Sequence, residues 1–223
     1  HQNSINSVAF LDMGGYICSG AMVNNVRQDL TPYFLTAWHC VEGENPSTFR
    51  FYFQKEASAC ENTWSSLGPY AYSSDIVADS DGMDSDWALL LINDNIEEDW
   101  EVFYSGWDAS GDYPIISCGI HHPGGTGKKI NYDDDTAFGD WWNGDGGGSP
   151  NVLTHWKVNW DAGSTEGGSS GSPVFNDQFR IVGQLSGGAG ECDSDWPDLY
   201  GKFSRAWNWE MPMDRRMIDW LDP

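Results

Sequence analysis

Short apolar blocks recur along the chain, separated by polar turns rich in glycine, asparagine, aspartate and serine. The blocks are rich in β-branched and aromatic residues, a composition typical of strands. They occupy residues 16–23, 33–37, 49–53, 87–92, 115–120, 155–160 and 180–185. This rhythm predicts an all-β fold, and it fits sandwiches and barrels equally well.

The end of the chain has a different period. Met213, Met217, Trp220 and Leu221 recur at helical spacing on one face. Pro212 suits the first turn of such a helix. We therefore predict a helix at the C-terminal end.

A glycine-rich segment, Gly-Gly-Ser-Ser-Gly-Ser-Pro at 167–173, gives one serine a chemical role. Glycines let backbone N–H groups converge on one point, and a hydroxyl in such a turn lies beside a preformed oxyanion hole. Runs of glycine and serine are as often flexible loops. The segment alone leaves both interpretations open.

Two upstream segments favour the catalytic interpretation. His39 ends an apolar run, although a lone histidine there can also be a buried structural residue. Asp86 begins another apolar run, where a carboxylate is costly unless it is paired or caps a turn. The chain order His39, Asp86, Ser170 is that of the chymotrypsin-type triad. We predict Ser170 as nucleophile, His39 as general base and Asp86 as its partner, with the N–H groups of Gly168 and Ser170 as the oxyanion hole.

With these motifs the chain resembles the bacterial trypsin-like serine proteases, and among them most of all the lysyl endopeptidases. The resemblance covers nearly the whole chain and also rests on YFLTA (33–37), IHHP (120–123), GQL (183–185), DLYG (198–201) and DWLDP (219–223). It implies two six-stranded Greek-key β-barrels of the chymotrypsin type, with the active site between them and the terminal helix on the second barrel. Residues 1–108 would form the first barrel with His39 and Asp86. Residues 109–223 would form the second with Ser170, the specificity pocket and the helix, and the two would make one peptidase domain.

The resemblance also implies an activity: a secreted serine endopeptidase that acts on protein or peptide substrates and needs no cofactor. Asp198 matches the carboxylate at the base of the family's specificity pocket, where it selects lysine or arginine. Gly187 lies at the pocket mouth, and Trp141 or Trp142 matches a tryptophan that lines the substrate cleft. Ser186, also expected in the substrate-binding region, stands where lysyl endopeptidases have a histidine. Cleavage after arginine therefore stays open beside cleavage after lysine.

Two details depart from the related enzymes. Asp193 and Asp195 are near alternatives to Asp198, because the loop from Cys192 is shorter than in the family. Trypsin-type zymogens carry an aspartate directly before the nucleophile, where it binds a newly freed N-terminus. Position 169 is serine here, so we do not expect that route of activation.

The chain has five cysteines, which suits an exported protein. The resemblance implies a disulfide between Cys18 and Cys40. In the lysyl endopeptidases the counterparts of Cys60 and Cys192 bond to an N-terminal segment upstream of the residues matched here, and Cys118 has no counterpart. At least one of these three must lack an intrachain partner, because the total is odd. We expect a monomer, and a disulfide link to a cleaved N-terminal segment stays open.

The formal net charge of −23 argues against nucleic-acid binding. The acidic residues are spread along the chain, which favours a role in solubility over the alternative, attraction of cationic substrates. No run of 18 or more apolar residues is present, so we expect no membrane span. The first residues are not a secretory signal, and we expect a signal and any pro-segment to be already absent.

No metal is expected. The acidic clusters at 79–84 and 133–135 are weak calcium candidates; the first lacks the glycine position and the glutamate of an EF-hand loop, and the second fits a solvated turn. His121 and His122 are adjacent on a predicted strand and point to opposite faces, so they do not share an ion. Two alternative functions remain: a non-catalytic protease-like binding module, or a protease of this fold with another specificity.

Overall fold

The structure, a computed structural model, describes residues 2–58, 65–144, 150, 152–188, 196–208, 212 and 215–223. Its strands form two antiparallel sheets. The first sheet contains β1 to β7: Val8–Asp12, Ile17–Val23, Tyr33–Ala37, Arg50–Tyr52, Tyr70–Tyr72, Ser74–Asp79 and Trp87–Ile92. The second contains β8 to β14: Ser117–His121, Lys129–Asp133, Phe138–Asp140, His155–Val158, Pro173–Phe175, Ile181–Gly188 and Asp198–Lys202. The described residues also form short α-helices, α1 to α4: Gln2–Ser7, Trp38–Val41, Phe203–Asn208 and Met217–Leu221.

The all-β prediction is confirmed, and a strand coincides with every predicted apolar block. The strand orders are β5-β4-β1-β2-β3-β7-β6 and β10-β11-β14-β13-β12-β8-β9. Each sheet has seven strands where six were expected. At one edge each sheet ends in a three-residue strand, β5 or β10. Such a strand is too short to show an alternating pattern in the sequence.

A buried apolar cluster joins the two sheets. Leu35 and Leu89 of the first sheet belong to the same cluster as Ile120 and Phe175 of the second. Strand β13 also contacts β3 directly. The ends of β3 and β7 therefore lie against the second sheet, which is where the candidate residues meet.

The C-terminal helix differs from its prediction in where it begins and what it packs on. Helix α4 begins at Met217, so Pro212 is not in its first turn. Met217 and Leu221 are buried, as the helical spacing predicts. The ring of Trp220 packs edge-on against Tyr33 of the first sheet, with 6.4 Å between the centroids. The helix thus packs on the first sheet too, and not on the second alone, because its apolar residues join the cluster that both sheets share.

The connection between the sheets runs from the end of β7 at Ile92 to the start of β8 at Ser117. The predicted boundary between residues 108 and 109 falls in this connection and stays a prediction. None of the helices in the described ranges has the length and apolar character needed to cross a membrane.

Candidate active site

Strand register brings His39 and Asp86 together across 47 residues of sequence. β3 and β7 are antiparallel neighbours, and Ala37 at the end of β3 lies opposite Trp87 at the start of β7. The residues just beyond these two ends, in α2 and in the turn before β7, must therefore be adjacent. The N–H of Trp38 donates to the carbonyl of Asp86 at 3.2 Å and closes this end of the ladder.

The Asp86 carboxylate holds the His39 side chain in one orientation. It accepts the His39 backbone N–H at 3.0 Å and the ring Nδ1–H at 2.8 Å. Asp86 is fully buried, and burial raises the pKa of its carboxyl above the ordinary value, while the hydrogen bonds from His39 oppose that shift. With Nδ1 carrying the proton, Nε2 of His39 is left as the basic nitrogen.

Gln184 of β13 fixes the turn that carries Asp86. Its side-chain amide donates to the carbonyl of Ser85 at 2.7 Å and to that of Asp86 at 3.2 Å. A side chain at Gly201 on the neighbouring strand would overlap the Ser85 carbonyl and the Gln184 amide. The second sheet therefore positions a residue that belongs to the first.

Ser170 lies in a turn that glycine makes possible. Gly168 and Gly171 have φ values of +93° and +78°, in the left-handed region that other residues rarely adopt. A Cβ on Gly171 would come within 2.5 Å of the Ser19 carbonyl oxygen and 2.8 Å of the Ala37 nitrogen. The turn is thus pressed against the strand that leads to His39.

Ser19 of β2 ties this turn to the first sheet. Its N–H donates to the carbonyl of Ser170 at 2.8 Å, and its hydroxyl donates to the carbonyl of Gly168 at 2.9 Å. Its own carbonyl accepts the hydroxyl of Thr36, three residues before His39, at 2.9 Å. One residue therefore connects the two segments that carry the predicted nucleophile and base.

The backbone N–H groups of Gly168 and Ser170 donate no hydrogen bond to any described residue. This is the arrangement that an oxyanion hole requires, because its donors must be available to the substrate.

Ser169, between these two N–H groups, is held by a buried histidine. Its hydroxyl oxygen lies 2.7 Å from Nδ1 of His121 and accepts the N–H of Glu166 at 3.1 Å. Nε2 of His121 lies 3.0 Å from the side-chain oxygen of Asn131. Burial lowers the pKa of His121 to about 4, so the ring is neutral at pH 7. His121 therefore supports the turn, which agrees with the structural role expected for it.

The Cys18–Cys40 disulfide is confirmed. It links β2 to α2, directly after His39, across a Cα–Cα distance of 6.3 Å. The sulfurs of both residues lie near the His39 ring, but the disulfide uses them, so they form no metal site. Cys118 is buried and unpaired, and Cys60 and Cys192 lie outside the described residues.

Asp198 is a buried carboxylate at the start of β14. It begins β14 opposite Gly188 of β13, and a Cβ on Gly188 would overlap its oxygen. Its oxygens accept Nε1–H of Trp160 at 2.7 Å and the hydroxyl of Thr165 at 2.9 Å. Burial raises the pKa of Asp198 to about 6 despite these bonds. Among the described residues no lysine or arginine forms an ion pair with it.

Trp142 packs over the first of two glycines, Gly187 and Gly188, that follow Ser186 on β13. A Cβ on Gly187 would be 2.8 Å from the ring of Trp142, so that ring covers the glycine. Trp141 donates its backbone N–H to the side chain of Asp140 at 2.9 Å. The Ser186 side chain is buried, and its hydroxyl oxygen lies 2.9 Å from Nε2 of His155; its contact with substrate stays a prediction. Asp193 and Asp195 lie outside the described residues.

Arginines neutralise the acidic cluster at 79–84. Arg205 makes a bidentate pair with Asp84, at 2.8 and 3.0 Å, and Arg215 bridges Asp79 at 2.8 Å and Asp81 at 3.2 Å. These pairs give the acidic side chains cationic partners, and they anchor the loop that leads to Asp86.

Residues 1–201 match the family model of the lysyl endopeptidase C-terminal domain. The chain belongs to the lysyl endopeptidase family. Lysyl endopeptidase of Pseudomonas aeruginosa is 28% identical over 213 residues, covering 87% of this chain and 44% of that protein. The chain thus spans less than half of that relative.

Solved structures show the same trypsin-like fold. The protease Anisep from Arthrobacter nicotinovorans matches with a TM-score of 0.63 and 20% identity, over 88% of this chain and 90% of that one. The scabies mite inactivated protease paralogue S-I1 matches with a TM-score of 0.64 and 15% identity, over 90% and 92%. The second is called inactivated, so the fold alone does not establish activity in a family member.

The supporting roles of several residues at the candidate site are not recognisable in the sequence. His121 and Gln184 lie in the family motifs IHHP and GQL, and Ser19 lies in no motif, but no motif indicated their partners. Each contacts a residue 48 or more positions away.

Proposed function

We propose that this protein is a secreted serine endopeptidase that hydrolyses peptide bonds after lysine, arginine or both. The observation that carries the proposal is the buried Asp86 carboxylate, which orients His39 beside the glycine turn of Ser170. Family membership supports the reaction class, and the disulfide is consistent with an oxidising compartment.

In the proposed mechanism the Ser170 hydroxyl attacks the scissile carbonyl while Nε2 of His39 takes its proton. The carbonyl oxygen becomes an oxyanion, which the N–H groups of Gly168 and Ser170 stabilise. His39 then protonates the leaving amine, and the acyl-enzyme forms. Water, activated by the same nitrogen, hydrolyses it. Asp86 stays ionised throughout and stabilises the imidazolium.

The charge of Asp198 supports the proposed specificity. A buried carboxylate without a cation is costly, and neutral donors offset only part of that cost. A lysine ammonium or arginine guanidinium reaching Asp198 would supply the missing charge through a charge-assisted hydrogen bond. A side chain at Gly187 would collide with the Trp142 ring, and one at Gly188 with the Asp198 carboxylate, so both glycines allow these two side chains to lie where they do.

Two experiments test the proposal. A fluorophosphonate probe should label the protein at Ser170 and at no other serine, which a binding module would not allow. A peptide library that varies the residue before the scissile bond should give cleavage after lysine or arginine. Labelling without this preference would keep the reaction class and reject the specificity. An absence of labelling at pH 8 would reject the enzyme and favour the binding module.

A further inference from the structure

A protease that cleaves after lysine or arginine meets such residues in other copies of itself. The chain has eleven lysines and arginines, and all of them lie among the described residues. Cleavage of a folded protein requires an exposed segment that opens locally and extends into the cleft of the enzyme. Exposure and backbone hydrogen bonding therefore decide which of the eleven bonds a second copy can reach.

The bonds that follow the five lysines are protected by burial or by strand pairing. Lys55 and Lys202 are each 7% exposed, and the side chain of Lys128 is 4% exposed. Lys129 and Lys157 lie within β9 and β11, where they pair with residues of neighbouring strands. None of the five lysines is exposed.

Five of the six arginines are held by strands, by a hairpin or by ion pairs. Arg50 lies in β4, which pairs with a strand on each side. The backbone N–H and carbonyl of Arg180 both hydrogen-bond to Asn176, and the next residue, Ile181, is fully buried. Three more have guanidinium groups paired with aspartates: Arg205, Arg215 and Arg216.

Arg27 differs from the other ten. It lies in the connection between β2 and β3, where residues 26–30 are all exposed. Its side chain forms no ion pair with a described residue. Within the described ranges, the hydrogen bond from residues 26–30 to a distant part of the chain is that of the Val26 N–H to the Leu221 carbonyl, at 2.9 Å. The bond between Arg27 and Gln28 is therefore an exposed loop bond of the kind that proteases cut.

Short-range hydrogen bonds close the loop downstream of Arg27. The Gln28 N–H donates to the carbonyl of Asn25 at 3.1 Å. The Asp29 carboxylate accepts the Asn25 amide at 2.7 Å and the Thr31 hydroxyl at 2.6 Å. These bonds join residues no more than four positions apart, so the loop opens without disturbing β2 or β3.

The loop lies at the opposite end of β3 from the candidate catalytic residues. β3 begins at Tyr33, close to the loop, and His39 follows its other end at Ala37. The five residues of β3 span about 16 Å. The Arg27 bond therefore does not reach the His39 of its own molecule, and only a second copy can cut it.

We propose that the bond between Arg27 and Gln28 is a self-cleavage site, at which one copy of this protein hydrolyses another. This rests on the proposed function. Ser170 of the first copy attacks the Arg27 carbonyl carbon of the second, and the bond to the Gln28 nitrogen breaks as His39 protonates that nitrogen. Water then hydrolyses the acyl-enzyme and leaves a carboxylate on Arg27.

The cut chain stays in one piece. Cys18 lies before the cut and Cys40 after it, so their disulfide joins residues 1–27 to residues 28–223. β1 and β2 also keep their pairing with β4 and β3. The product is a folded protein of two disulfide-linked chains.

The test uses the Ser170→Ala protein as the substrate, because it cannot cut itself. Small amounts of the unmodified protein are added, and the products are separated with and without a reducing agent. We expect a first cut that leaves Gln28 as a new N-terminus, with two pieces after reduction and a single band without it. The rate should rise in proportion to the unmodified protein added. A first cut at another bond, or no cut while peptides are cleaved after arginine, would overturn the proposal.

Substitutions at Arg27 in the Ser170→Ala protein provide the matched controls. Arg27→Gln should slow the cut at this bond at least a hundredfold, and Arg27→Lys should leave the bond cleavable. A cut that persists in Arg27→Gln would overturn the proposal. A cut in Arg27→Lys with the arginine chain intact would also overturn it, and would show that the enzyme requires lysine.

Trypsin separates failure of this proposal from failure of the proposed function. Because trypsin cleaves after lysine and arginine, its first cut in the folded Ser170→Ala protein should be at the same bond. A first cut elsewhere would overturn the proposal whatever the activity of the protein itself. If trypsin cuts after Arg27 but the unmodified protein hydrolyses neither this chain nor any peptide, the proposed function is rejected, and self-cleavage is rejected with it.

Discussion

The Asp86 carboxylate accepts two hydrogen bonds from one residue, the backbone N–H and the ring Nδ1–H of His39. The first bond fixes where the α2 backbone begins, and the second fixes the ring on that backbone. Both depend on the register of β3 against β7, so the reactive nitrogen is oriented by the sheet itself.

This pair predicts the effect of removing only the charge of Asp86. In Asp86→Asn the side-chain size is kept, but an amide stabilises the wrong tautomer of His39. We expect kcat to fall about 10⁴-fold, as in triads of this type, with the fold retained. Steady-state kinetics measure kcat, and near-UV circular dichroism measures whether the fold is retained. Asp177→Asn, at an exposed turn, is the matched control and should leave kcat unchanged.

The position of Asp198 predicts that its substitution reduces the cleavage of some substrates and not of others. Asp198→Asn should abolish most cleavage after lysine and arginine, since the substrate cation would then be desolvated without a partner. Cleavage after leucine should change little, because His39 and Ser170 are untouched. Paired lysine and leucine substrates measure the difference. An equal loss on both, or no loss on either, would show that Asp198 is not the pocket base.

The raised pKa of Asp198, about 6, predicts how this specificity depends on pH. The carboxyl is neutral below about pH 6 and charged above it, so kcat/KM for a lysine substrate should decline as the pH falls through this value. The ratio of lysine to leucine cleavage isolates Asp198, because His39 affects both substrates alike. A ratio that is constant from pH 5 to pH 8 would contradict the prediction.

The same shift has a consequence for stability. A carboxyl whose folded pKa lies above its unfolded value stabilises the fold at low pH, and this contribution is lost as the pH rises through about 6. Asp198→Asn removes that dependence. We expect the variant to gain on the order of 1–3 kcal/mol of unfolding free energy at pH 8 relative to pH 4, compared with the unmodified protein. Urea unfolding at the two pH values measures it, and equal pH dependence in both proteins would contradict it.

The sequence predicted those parts of the fold and of the candidate site whose pattern lies within one short segment. The apolar blocks of β3 and β7 and the motifs at His39, Asp86 and Ser170 lie in short segments, and they predicted the strands and the candidate residues. The edge strands β5 and β10 are too short to show a period. The predicted start of α4 was wrong, because helical spacing identifies the apolar face of a helix but not the residue at which the helix begins.

The supporting contacts were missed for a different reason. Ser19 contacts Gly168 across 149 residues, and Gln184 contacts Ser85 across 99. The partners of His155 follow from strand order, which no single segment contains. Ser186 was expected near the substrate because of its place in the motif, and only the strand register places its hydroxyl beside the ring of His155, 31 residues away.

The support of the Ser170 turn gives a further prediction. Ser169→Ala leaves His121 and the Glu166 N–H without their shared partner, so the N–H groups of Gly168 and Ser170 should lose part of their alignment. We expect kcat to fall by about tenfold, a fraction of the effect of deleting an oxyanion donor, with KM little changed. A loss confined to KM would argue against support of the oxyanion hole.

The central claim, that Ser170 is the nucleophile of a serine endopeptidase, has one direct measurement. The unmodified protein and Ser170→Ala are treated with a fluorophosphonate probe, and their hydrolysis of a lysine peptide is followed at pH 8. The account predicts a single adduct at Ser170, and a loss of turnover on the order of 10⁶-fold in the variant, which should keep its fold. An adduct at another serine, or a Ser170→Ala protein that retains even about a hundredth of the activity, would contradict it.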